Sequence, residues 1–89
     1  MCLTLEGPDE AAVATQADVL AARLRQARPA GVILAGPAPA ALARVKGRYR
    51  YQVILRAASA SALNAPVKSV LRQLRMPRKV ALAVDMDAL

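Results

Sequence analysis

The chain has 89 residues, 56% of them apolar, a net charge of +7, and no Trp, Phe or His. A domain of this size buries only about 60–65% of its unfolded surface, and without large aromatic rings its core must rest on alanine, valine and leucine. The longest apolar run, GVILAGPAPAAL, is broken by proline and falls short of the ~20 residues that span a bilayer.

Cys2 to Leu5 alternates as a short strand, and Gly7-Pro8-Asp9 is a turn that also suits a helix start. From Asp9 or Glu10 onward, Val13, Ala17, Leu20, Leu24 and Ala27 recur at steps of three and four. That is one helix face, with acids in its first turn and Arg23, Arg25 and Arg28 towards its end. Pro29-Ala30-Gly31 stops the helix and residues 32–35 read as a compact strand. Gly36-Pro37-Ala38-Pro39 then breaks the chain, and the stretch to Gly47 reads as a loop or a single helical turn. A connection that long inside a small domain is often functional.

Residues 48–57 follow as the longest expected strand. Ser59 or Ser61 can cap a second helix with the apolar face Leu63, Val67, Val70, Leu71 and Leu74. Pro66 weakens or bends its first turn and Pro77 ends it, after which Val80, Leu82 and Val84 alternate with alanine in a last strand. The order strand, helix, strand, strand, helix, strand predicts one domain over residues 1–89 in the α+β class. Its architecture is the ferredoxin-like split βαβ (βαββαβ), a four-stranded antiparallel sheet with two helices on one face.

Charge gives the first functional signal. All six acids, Glu6, Asp9, Glu10, Asp18, Asp85 and Asp87, lie near the two ends of the sequence, and thirteen arginines and lysines fall between Val19 and Val84 without one acid. Such a field draws an anionic partner: nucleic acid first, then acidic peptide, then acidic membrane surface. The densest cluster is Arg44, Lys46, Arg48 and Arg50, which in a loop leading into a strand can reach successive phosphates without reading sequence. The aromatic and glycine order of an RNA-recognition strand is missing here.

Alternation divides the third strand. Tyr49, Tyr51, Val53 and Leu55 point one way, and Arg48, Arg50, Gln52, Ile54 and Arg56 the other. The first set carries most of the apolar bulk and suits the helix-covered face, which makes Tyr51 a core residue and leaves Tyr49 open between packing and ligand contact. The second set puts three arginines on the uncovered face, as a nucleic-acid surface, a docking surface or a solvated one.

Catalysis by this chain alone is not expected. There is no histidine base, Cys2 has no cysteine partner, and GPAPAAL lacks the second glycine and the lysine of a phosphate-cradling loop. Asp85 and Asp87 make a weak metal pair without a third ligand. No cofactor is expected. The acidic start MCLTLEGPDE lacks the basic head of a secretory signal, and the lone cysteine fits a reducing cytoplasm.

GPAPAA at 36–41, ARVKGRYRYQ at 43–52 and VDMDAL at 84–89 resemble the C-terminal domain family of bacterial primosomal protein N′, the replication restart DNA helicase PriA. There a strand runs into a GPAPAP-like turn, a basic segment and GRYRWQ or GRYRYQ, with V-D-V-D-P near the end. The resemblance implies a DNA-binding accessory domain of a primosome enzyme that recognises branched or single-stranded DNA at stalled forks. The full-length family is an ATP-dependent 3′–5′ DNA helicase, and since helicase motifs and zinc-binding cysteines are absent from these residues, the resemblance implies that this chain is the isolated domain. The expected DNA-binding residues are Arg44, Lys46, Arg48, Arg50 and Tyr49.

The alternative is a protein-interaction module that docks on the helicase core or binds the acidic tail of the single-stranded DNA-binding protein, among other primosome proteins. The family arginine that helps hold this tail is absent from Ser59-Ala60-Ser61-Ala62-Leu63-Asn64, which leaves Asn64 and Lys68 as candidate peptide-binding residues. The closing proline of the family is Ala88 here. A cytoplasmic, nucleoid-associated protein with no membrane partner is the expected setting.

Overall fold

A computed structural model describes residues 1–27 and 31–85, with side chains described except at 41–45, 60 and 85. The elements are β1 (Cys2–Gly7), α1 (Glu10–Ala27), β2 (Ile33–Val45), β3 (Arg48–Arg56), a 3-10 turn (Ala60–Leu63), α2 (Asn64–Gln73) and β4 (Ala81–Asp85). The sheet runs β2-β3-β1-β4 and every neighbouring pair is antiparallel. This is the expected ferredoxin-like βαββαβ fold. Arg28 and Asp87 lie outside the described residues.

The first strand is central. Leu3 and Leu5 of β1 are fully buried while Thr4 and Glu6 on the opposite face are half-buried, the period-two pattern of a sheet covered on one side. Gly7 ends β1 where a Cβ would strike the Lys79 carbonyl oxygen, so the chain can pass there only without a side chain. Asp9 then caps α1: its Oδ1 accepts from the Ala11 amide at 3.0 Å and the Ala12 amide at 3.4 Å. The face of α1 predicted from periodicity is buried at Val13, Ala17, Leu20 and Leu24, joined by Gln16 and Ala21. Ala27, placed on that face by its spacing, is the last residue of the helix and is exposed.

The largest departure from expectation is the stretch after residue 35. It is not a loop or a helical turn: β2 continues to Val45, is longer than β3, and pairs with β3 again at Ala38↔Gln52, Pro39↔Tyr51, Arg44↔Tyr49 and Val45↔Arg48. Register shifts between Ala35 and Ala38 and between Pro39 and Arg44 absorb the surplus residues. Proline cannot donate to a ladder, and an edge strand is where it is tolerated; β2 is such an edge. Gly36 makes the first shift feasible, at φ +99 and with a Cβ position 2.7 Å from the Gln52 carbonyl oxygen. The hairpin closes on Lys46 and Gly47, at φ 52 and 77, the two positive values of a tight turn that matches strand twist.

The second helix also starts differently. The Ser59 side chain makes no cap bond; its hydroxyl lies 2.7 Å from that of Ser61, and a 3-10 turn leads into α2. Pro66 falls in the first turn of α2, where amides have no helical acceptor, and is accommodated there. The helix ends at Gln73, ahead of Pro77, whose carbonyl accepts from the Val80 amide at 3.0 Å. Leu63, Val67 and Val70 join Leu3, Leu5, Val53, Leu55 and the buried face of α1 in one aliphatic core. Gln16 is the buried polar side chain among the described residues, and its Nε2 donates to the Arg75 carbonyl at 3.0 Å, tying α1 to the segment after α2.

Candidate nucleic-acid interface

The sheet face that carries no helix is read across from β3. Arg48, Arg50, Gln52, Ile54 and Arg56 alternate onto it, facing Glu6, Thr4 and Cys2 of β1 on one side and Ala38, Ala35 and Ile33 of β2 on the other. Lys46 is exposed at the hairpin tip, Arg48 and Arg50 are half-buried, and Arg56 is exposed at the far end. Four cations therefore follow one hairpin arm. The Arg44 side chain lies outside the described residues; its backbone pairs with Tyr49 next to the tip.

This face is less purely cationic than the sequence suggests. The Arg48 Nε donates to Glu6 Oε1 at 3.2 Å, with the two side chains 43% and 37% exposed, and Glu6 is also the direct register partner of Arg50. An ion pair this open to water contributes little to stability. Its larger effect is on the local field, since one carboxylate sits among the arginines meant for phosphate.

The tyrosines fall on the other side. Tyr51 packs against the core, and its hydroxyl donates to Glu10 Oε2 at 3.4 Å. Loss of solvent around the ring, the Glu10 charge and hydrogen bond, and then the Asp18 charge all favour the neutral phenol, so its pKa is raised above the ordinary value of 10.0. Tyr49 lies one register step further, half-buried opposite Gly7 and on the helix-bearing side. Alternation in the sequence sets it opposite Arg48 and Arg50, and the pleat keeps it there, away from the cations with which it was expected to contact DNA.

Asn64 and Lys68 are exposed on α2. The nearby cleft of about 290 Å³ between the two helices is lined instead by Arg23, Gln26, Ala27, Ser69, Val70 and Gln73, so these two candidates do not form its walls. Sequence reasoning missed Glu6, which lies far from the cluster along the chain. It also missed the bond from Arg25 Nη2 to the Gly36 carbonyl at 2.8 Å, by which α1 holds the irregular part of β2. Among the described residues no group of three or more metal-ligating side chains gathers, and no helix is long and apolar enough to cross a membrane.

A four-stranded antiparallel sheet with helices on one side and an arginine-bearing strand on the other defines the class: a small α+β domain of ferredoxin-like topology with a cationic sheet face. Within that class the chain belongs to the primosomal protein N C-terminal domain family, whose sequence model matches residues 1–89. Membership ties it to the primosome of DNA replication restart. Comparison with curated proteins gives no match.

Proposed function

We propose that this domain holds DNA for a replication restart helicase by contacting backbone phosphates with Lys46, Arg48 and Arg50. The observation that carries the reading is their placement: an exposed lysine at a tight hairpin tip, followed by two arginines on the helix-free face of the same strand. Contacts of this kind set affinity and salt dependence, not base sequence. Arg44, next to the tip in register, belongs to the same group in this reading; Tyr49 lies on the opposite, helix-bearing face. The test is the salt dependence of DNA affinity. Each phosphate neutralised adds about 0.9 to the slope on duplex and about 0.7 on single strands, so the Arg48→Ala, Arg50→Ala double variant flattens the slope by one to two such steps, the lower figure if Glu6 already satisfies Arg48. A slope that does not move refutes the assignment.

The second reading is capture of an acidic peptide, such as the tail of the single-stranded DNA-binding protein. The interhelical cleft favours it, with the Arg23 cation beside neutral hydrogen-bonding groups on Gln26, Ser69 and Gln73, while Lys68 and Arg72 keep the exposed side of α2 basic. Arg23→Ala separates the readings: it abolishes peptide binding under the second and leaves the DNA salt slope unchanged under the first.

A further inference from the structure

The helix-free sheet face is not uniform along β3. Near the hairpin tip it is polar and charged, with Lys46, Arg48, Arg50 and Gln52. At the other end the side chains of Ile33, Ala35, Ile54 and Arg56 enclose an open slot of about 310 Å³. Ile33 is 65% exposed, the most exposed large hydrophobic residue of those described. A slot of this size stands at the lower bound of small-molecule sites, about 300–1,000 Å³.

The register accounts for the arrangement. Ile33 faces Arg56 and Ala35 faces Ile54 across the β2–β3 ladder. Ile33 and Ile54 are therefore diagonal neighbours on this face, with Ala35 and Arg56 on the other diagonal, and all four side chains line the slot. Aliphatic walls with one planar cation suit a flat, uncharged aromatic ring: the guanidinium lies over its face while the isoleucines exclude water.

We infer that this slot accepts an unpaired nucleobase, so that the face prefers single-stranded DNA to duplex. The inference rests on the phosphate reading above and specifies its ligand. Along a strand with about 3.3 Å per residue, Arg50 and Ile54 are about 13 Å apart. A single strand lying on Lys46, Arg48 and Arg50 therefore reaches the slot within a few nucleotides, and only an unpaired strand can turn a base into it. A base inside a duplex is stacked and paired, and extracting it must break both interactions. An apolar side chain from a protein partner could enter the same slot, but the run of cations leading to it along one strand favours a polyanion whose uncharged part is a ring.

The test compares an oligothymidine with an abasic strand of the same length and charge. Base stacking at one site makes the thymidine strand about fivefold tighter. Two exposed positions then assign that preference to the slot. Ile33→Ser removes a wall and Arg56→Lys keeps the charge but loses the planar group, so each brings thymidine affinity down to the abasic level while duplex binding is unchanged. Equal affinity of the unaltered chain for both strands, with the salt slope intact, overturns the slot and leaves phosphate binding standing, as does a thymidine preference that survives both variants. Failure to bind either strand at low salt overturns both.

Discussion

Neutralising Glu6 asks the phosphate reading for a gain of function. Its carboxylate accepts from Arg48 at 3.2 Å, and a phosphate engaging the outer side of that guanidinium would lie about 6 Å from the carboxylate. In a water-like dielectric, two unit charges at that distance repel by about 0.7 kcal/mol, a factor of about three in affinity. The ion pair itself contributes only about 0.2–1 kcal/mol, so Glu6→Gln leaves the fold standing and frees Arg48. DNA affinity at low salt should rise about threefold, and the slope against salt on a single strand should steepen by up to about 0.7, one further phosphate. The gain should fade towards high salt as screening shortens the range of the charge. Fluorescence anisotropy with a labelled oligonucleotide across a salt series measures both quantities. Asp18→Asn is the control, because it changes net charge equally from an exposed position on α1. If Glu6→Gln changes neither affinity nor slope while melting normally, or if Asp18→Asn matches it, the face assigned to DNA is wrong.

Gly36→Ala should cost about 1–3 kcal/mol, because its φ is +99 and the added methyl meets the Gln52 carbonyl oxygen at 2.7 Å; a denaturant midpoint that stays in place would contradict the account of β2. Alkaline pH should act through Tyr51. With its folded-state pKa raised above 10.0, the protonated phenol is favoured by folding, so its contribution is complete below the unfolded value and is lost as pH rises through the folded one. Chemical denaturation from pH 9 upward should show wild type losing more stability than Tyr51→Phe, and equal losses would remove Tyr51 from the explanation.

The sequence carried the fold wherever one period ran uninterrupted. Val13, Ala17, Leu20 and Leu24 mark α1, and the alternation from Tyr49 to Arg56 sorts β3 into its two faces, because burial on one side writes its spacing directly into residue choice. β2 was hidden for the converse reason. Gly36, Pro37 and Pro39 punctuate the chain as a loop would, and only pairing to β3, which is a tertiary fact, keeps them in a strand. The start of α2 was misplaced because serine is a good cap wherever its hydroxyl reaches an amide, and here Ser59 and Ser61 engage each other.

The candidate site was legible in part. Lys46, Arg48 and Arg50 stood together in the sequence because one strand carries them. Their field could not be read there, since Glu6 arrives from a strand 42 positions away from Arg48. Nor could the slot, whose walls Ile33 and Arg56 meet only through the register of the hairpin. What adjacency along the chain encodes was visible; what requires knowing which strand lies beside which was not.

The middle position of β1 has a consequence for how the chain folds. β2 and β3 meet across the two-residue turn at Lys46 and Gly47, and such hairpins close in about 1–10 μs. β1 can complete its ladders only with β3 on one side and, on the other, β4, whose Asp85 pairs with Cys2. Closing a loop of that length costs more chain entropy, and contacts between distant residues slow folding. The transition state should therefore already hold much of the β2–β3 hairpin while the ladder between β1 and β4 is still unformed. Truncating Val84 should mainly accelerate unfolding, and a comparable slowing of refolding would show the distant strands meeting first. The strand at the middle of the sheet is thus among the last to be enclosed on both sides.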